Sequence, residues 1–310
     1  MTIRTVMTSA MGRVGLATVL AGGLGSAGCV KMAVGMTAPV VRIASGDFNR
    51  ESDLIFAREA SPGQVKTAEG FLAADPDNRI LLDVVTRGYI EYTFGFLEDD
   101  LEALPEGNPA RDALAKRATA LYDRALAYAL RYMATDDKNF QAAFGKDTAA
   151  VEAEIAKLDK DSVAPVFFTG LALASSINLN RNDMARVVDL PKAIALIKRA
   201  YKLDPTFYNG GPAMTLGIVY GSQGRAMGGD PVASKKYFEE AIATTGGKFL
   251  MCKVLMARFY AVTTQDRPLF DKLIKEVLDT PADIAPEFRL PNELAKQKAR
   301  RYAAHADDLF

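Results

Sequence analysis

The chain of 310 residues has no tryptophan, one histidine, two cysteines and no net charge. The single imidazole, His305, excludes a multi-histidine metal site and leaves acid–base catalysis by histidine without a plausible centre. Lys+Arg and Asp+Glu both number 38, so no basic surplus draws nucleic acid and no acidic tail draws a basic or calcium-rich partner. Strand-like alternation is scarce, and no long or low-complexity linker interrupts residues 51–310. With 49% hydrophobic and 25% charged residues, the composition is that of an ordinary globular chain, long enough to bury a sizeable core.

What is present begins at the N-terminus. Arg4 and Arg13 are the only charges in the first 28 residues, Val14 to Leu24 is a short apolar run, and Ser26-Ala27-Gly28 precedes Cys29. This is the order of a secretory signal, and the run falls short of the ~20 residues a membrane span needs. Small residues ending in Gly-Cys resemble a bacterial lipobox, whose cysteine is lipidated and becomes the new N-terminus. Ser26 stands where leucine is usual, with Leu24 further back. The expected organisation is a signal peptide over 1–28, a lipidated N-terminus and tether over 29–50, and one all-helical domain over 51–310. Removing Arg4 and Arg13 from 38 basic residues leaves 36 against 38 acidic ones, a net −2. Acyl chains contribute ~0.8 kcal/mol per buried CH₂, so a lipidated Cys29 would hold the protein at a membrane surface in the periplasm. Val30 follows the cysteine with no acidic retention signal, which favours the outer membrane over the inner.

From about Glu51, apolar residues recur at three and four, with breaks at Gly, Pro, Asn and Asp. The spacing predicts helices near 52–74, 79–99, 110–134, 147–159, 163–180, 190–203, 212–223, 231–244, 249–263, 267–279 and 288–308. Asp189-Leu190-Pro191 and Gly229-Asp230-Pro231 read as helix starts. "AIALIKRAYKLDP" carries Ala193, Ile197, Ala200 and Pro205 at the spacing of the second helix of a tetratricopeptide repeat. Ser234, Phe238 and Ala241 repeat it, as do Ala118, Tyr122 and Ala125. The expected fold is therefore all-α, a tetratricopeptide-like solenoid of helical hairpins with degenerate repeats.

Motifs for chemistry fail on inspection. "ATTGGKF" has Ile242 where a phosphate loop needs its first glycine and Phe249 where magnesium needs a hydroxyl. "DDKNFQAAFGKD" has Ala142 in place of a calcium loop's glycine. The run Glu98-Asp99-Asp100-Glu102 reads as a solvated helix end rather than a cation site, and Lys296, Lys298, Arg300 and Arg301 as a solvated face. Cys252 lies in an apolar helix and reads as a buried small side chain. No nucleophile pairs with a base, so no catalytic residue, metal or cofactor is expected. The polar and aromatic residues within apolar helices either pack the core or line a cavity. Tyr89, Tyr92 and Phe96 in "GYIEYTFGF", Phe168, Ser175 and Asn178 in the most apolar helix, and Tyr220 and Met227 beside "GSQGRAMGGD" are the candidates.

The lipobox-like start, "GYIEYTFGF", "VVDLPKAIALIKRAYKLDPTF", "RAMGGDPVASKKYFEEAI" and the ending "ARRYAAHADDLF" together resemble the T-component family. Its members are periplasmic lipoproteins associated with tripartite ATP-independent periplasmic (TRAP) transporters. The resemblance spans nearly the whole chain after Cys29. It implies tetratricopeptide-like hairpins, no enzymatic activity, association with the transporter's soluble substrate-binding subunit, a cavity for a small hydrophobic ligand, and homo-oligomer formation. A tetratricopeptide lipoprotein that scaffolds envelope assembly without a small ligand is the other reading.

Overall fold

Helices start in this chain where a short acceptor side chain meets an apolar run. Asp53 accepts from the N–H groups of Ile55 and Phe56, Asn78 from Leu81, Asp147 from Ala150, Asp230 from Val232 and Ala233, and Asp266 from Leu269. Each satisfies first-turn donors that no intrahelical carbonyl reaches. Proline follows at the first turn after Asp230 and Asp266, where its missing N–H costs nothing.

The computed structural model describes residues 11–222 and 228–310, with side-chain surroundings from residue 28 onward. Among the described residues every regular element is helical and no strand occurs. In chain order the helices are α1 Met11–Asp47, α2 Leu54–Ala74, α3 Arg79–Tyr92, α4 Glu98–Ala103, α5 Ala110–Asp136, α6 Phe140–Phe144, α7 Thr148–Ile155 and α8 Val163–Leu179. Then come α9 Met184–Val187, α10 Leu190–Leu203, α11 Phe207–Gly221, α12 Pro231–Thr244, α13 Met251–Met256, α14 Arg267–Asp279 and α15 Arg289–Ala304. Two π-helical turns, Thr93–Leu97 after α3 and Ala257–Ala261 after α13, widen the backbone locally.

The predicted helices lie where the periodicity puts them, with a difference at the N-terminal end. Residues 30–47 have no sustained apolar period, yet they continue α1 as helix. Tertiary contact supplies what the pattern lacks: Val34 and Ala38 are buried in the core shared with α2 and α3, and Lys31 pairs with Asp75 at 3.2 Å. Cys29 is exposed on this helix, whereas Cys252 is buried and its thiol is pushed up to about 12 by burial.

Successive helices pack in order, α2 on α3, α3 on α5, α5 on α8, α8 on α10, and α11 on α12. Small residues permit the closest approaches. A Cβ on Gly170 would stand 2.9 Å from Leu196 Cβ, and one on Gly217 would stand 2.9 Å from the Phe238 ring. Ala118, Ala125, Ala193, Ala200, Ser234 and Ala241 are fully buried. Two large apolar cores result, with two small clusters beside them. One joins α2, α3, α5, α7, α8 and α10, and the other joins α12 to α15 with the first π turn. Helix α8 with its preceding turn, Lys160–Leu179, is apolar and long enough to cross a membrane by composition, but most of it is buried inside the first core.

Candidate functional site

A cavity of about 940 Å³ lies between the two cores. Its wall takes residues from the end of α1, from α2 and α3, from both π turns, from α8 and α11, and from the start of α15. The π turns matter here because an extra residue in the helical turn displaces side chains from the register that packing would impose. Phe94 and Phe96 reach the cavity from one π turn and Phe259 from the other.

The most distorted backbone is also in the wall. Tyr208, Asn209 and Gly210 follow one another with φ of 48°, 60° and 80°. Left-handed geometry costs a Cβ-bearing residue roughly 1–2 kcal/mol, so Tyr208 must be held. Its ring packs edge-on against Phe168 with centroids 5.3 Å apart, and its hydroxyl donates to Glu91 Oε1. The Arg87 guanidinium lies 5.7 Å over the ring and 3.5 Å from the same carboxylate oxygen. Burial, and then the charge of Glu91, push the Tyr208 phenol well above its usual range, so it remains a donor. Gly210 must be glycine on two counts: its φ is positive, and a Cβ would sit 3.1 Å from Ala241 Cα.

A second polar group faces the cavity from the start of α4. Glu98 accepts from the Tyr122 hydroxyl, and Ser175 on α8 lines the same wall. Burial raises the Glu98 carboxyl from 4.5 to about 7, and neither the phenol nor the charge of Lys298 offsets it. About one turn along α8 from Ser175, Asn178, and just past the helix end Arg181, continue a polar stripe on the same wall. Arg181 Nε donates to Asn178 Oδ1 at 3.0 Å.

Of the residues expected from the sequence, Tyr92, Phe96, Ser175, Asn178 and Tyr220 border this one cavity. Tyr92 and Phe96 are in tilted contact, centroids 5.8 Å apart. Tyr89 and Phe168 do not border it. Tyr89 stacks on Tyr128 and donates to Glu69 Oε1 at 2.6 Å, because it sits one residue, about 100° of helix, past the cavity-facing Gly88. Phe168 is buried among Phe167, Phe207 and Tyr208. Met227 lies outside the described residues. Missed by the sequence reading were Glu91, Glu98, Arg181 and Tyr208. A signal existed for Glu91 alone, as the one charge inside the aromatic "GYIEYTFGF".

The neighbouring charges correct another expectation. Lys298 is 1% exposed rather than solvated, 3.2 Å from Asp99 and 3.1 Å from Glu102. Arg301 Nη2 donates to Asp99 Oδ1 at 2.7 Å, and Lys296 donates to the carbonyls of Leu278 and Thr280. Asp100 pairs with Arg58 at 2.5 Å. The carboxylate run is thus a set of ties across the fold, not a solvated end.

A family profile described as TRAP transporter T-component matches residues 50–310. An uncharacterized protein of Treponema pallidum (strain Nichols) is 23% identical to this chain over 265 residues, covering 85% of the chain and 82% of that relative.

Proposed function

The chain belongs to the TRAP transporter T-component family, a family of transport accessories rather than enzymes, and from that premise we propose that it holds a small hydrophobic ligand for transfer to the transporter's substrate-binding subunit. The cavity carries this reading: about 940 Å³, walled chiefly by aliphatic and aromatic side chains, with a few fixed polar groups at Tyr208, Glu98, Ser175 and Asn178. Apolar walls with sparse oriented donors and acceptors are the usual form of a small-molecule site. The helices act here as degenerate tetratricopeptide-like hairpins. That reading is supported by the complete burial of Ala193, Ile197 and Ala200 and of Ser234, Phe238 and Ala241 at their repeat positions. Catalysis has no part in the proposal.

Cys29, exposed and preceded by Ser-Ala-Gly, is the lipid attachment point that tethers the protein on the periplasmic side of a membrane, the outer one by the absence of an acidic retention signal. A palmitate analogue should label the natural chain and not Cys29→Ser. Equal labelling of both would remove the anchor from the proposal. The functional reading is tested by purification from detergent-solubilised membranes with mass spectrometry of what accompanies the chain. A TRAP substrate-binding subunit together with a small apolar molecule is the expected result. Envelope-assembly proteins with no small molecule would instead support the scaffold role.

A further inference from the structure

Arg181 is the only basic residue on the cavity wall among the described residues. Its hydrogen bonds go to the neutral amide oxygen of Asn178. Burial lowers its pKa first, and the like charge of Arg258 on the second π turn lowers it further; no carboxylate acts on it. Residues 1–10 and 223–227, which lie outside the described set, contain no Asp or Glu, so they supply no missing carboxylate. The contrast with other arginines near the wall is direct: Arg87 has Asp83 and Glu91, and Arg58 has Asp100. A guanidinium on the wall of an apolar cavity, hydrogen-bonded only to a neutral amide and in no ion pair, forms a site for an anion.

The anion's body is set by the rest of the wall. From Arg181 the stripe runs through Asn178 to Ser175, and Phe96 and Leu294 add apolar surface to the same wall. The head is singly charged, since Glu91 and Glu98 border the same cavity and a second negative charge would meet them. We propose that Arg181, held in place by Asn178, receives the carboxylate head of an amphiphile whose apolar body fills the cavity. A planar guanidinium with free N–H groups matches a carboxylate in shape and charge. The side chain stands at the rim, where the head keeps contact with water while the chain is buried. This proposal rests on the ligand-holding reading above and adds the charge and class of the ligand.

The test uses three twelve-carbon chains that differ only in the head: dodecanoate, dodecan-1-ol and dodecylamine. Each competes, below its micelle concentration at pH 7.5, with a neutral apolar fluorophore bound to protein stripped of co-purified lipid. Dodecanoate should bind at least tenfold tighter than the alcohol, with the amine weakest. Arg181→Gln should weaken dodecanoate roughly ten- to hundredfold, the range of a charge-assisted hydrogen bond, and leave the alcohol unchanged. Arg181→Lys should retain most of the preference. Melting curves of both variants should overlay the natural chain, because Arg181 stands at the rim and gives up no ion pair. Equal binding of acid and alcohol, or a preference that survives Arg181→Gln, would overturn the anion site and leave the cavity reading standing. Failure of the fluorophore and of all three chains to bind would overturn the cavity reading, and this proposal with it.

Discussion

Glu98 and Asp99 are consecutive carboxylates in the first turn of α4, and they meet opposite surroundings. Glu98 borders the cavity, with one phenol donating to it, and burial raises its carboxyl to about 7. Asp99 is 3% exposed, yet burial is outweighed there by Arg301, Lys298 and Gln297, which hold its carboxyl below the usual range. Gln297 Nε2 donates to Asp99 Oδ2 at 2.6 Å. Burial alone therefore does not decide ionisation. The number of fixed donors and cations does, and those are withheld from the cavity and concentrated beside it. The compensated cluster ties α4 to α15, while the uncompensated wall keeps polar groups that a bound molecule can complete.

The sharpest way to break this contrast is to remove a cation from the compensated side. Lys298→Met leaves the buried Asp99 and the part-exposed Glu102 with Arg301 as their remaining cation, and losing one partner of a buried pair costs about 3–5 kcal/mol. Chemical denaturation should show a loss of that order. A loss under ~1 kcal/mol would mean that water reaches the cluster and that the two regions differ less than their burial indicates.

Next in size is a pH effect at Glu98. Its folded pKa lies above the unfolded value of 4.5, so its contribution to stability is fully present below pH 4.5 and lost as pH rises through about 7. Asp99 runs the other way, its contribution present above 3.8 and lost as pH falls through its depressed folded value. Glu98→Gln should therefore match the natural chain at pH 4.5 and exceed it by about 3 kcal/mol at pH 8. Denaturation at the two pH values checks this, and a pH-independent difference would place the Glu98 carboxylate in water.

The smallest expected effects are on the wall itself. Tyr92→Phe and Asn178→Ala each remove a polar group with little change in the core. Capture of a neutral apolar fluorophore should weaken a few-fold, in keeping with about 0.5–1.5 kcal/mol for one hydrogen bond, while melting stays nearly unchanged. Binding lost only together with stability would return both residues to a packing role.

Much of the fold was legible because its signals are local. The Asp230-Pro231 start, the apolar spacing from Ala193 to Ala200 and the long apolar stretch of α8 each declare a helix within a dozen residues. The cavity wall was legible in part for the same reason. Aromatic and small residues at helical spacing, such as Tyr92, Phe96 and Ser175, must face something. Tyr89 looked equivalent to Tyr92 because an ideal helix puts residues three apart on neighbouring faces, but the contacts with Glu69 and Tyr128 hold the Tyr89 ring off the cavity wall that Tyr92 borders.

By itself the sequence determined that the chain is helical, where its helices run and which family it belongs to, since periodicity, caps and motif order are all carried along the chain. Only the tertiary structure decided which charges are spent on stability and which are left at the cavity. Asp99 and Arg301 are 202 residues apart and Tyr208 and Glu91 are 117 apart, so their pairing leaves no trace in any local pattern. The same holds for Arg181, to which no carboxylate is brought among the described residues. Ionisation depends on distances through space, and a helical period reports only which face a residue occupies.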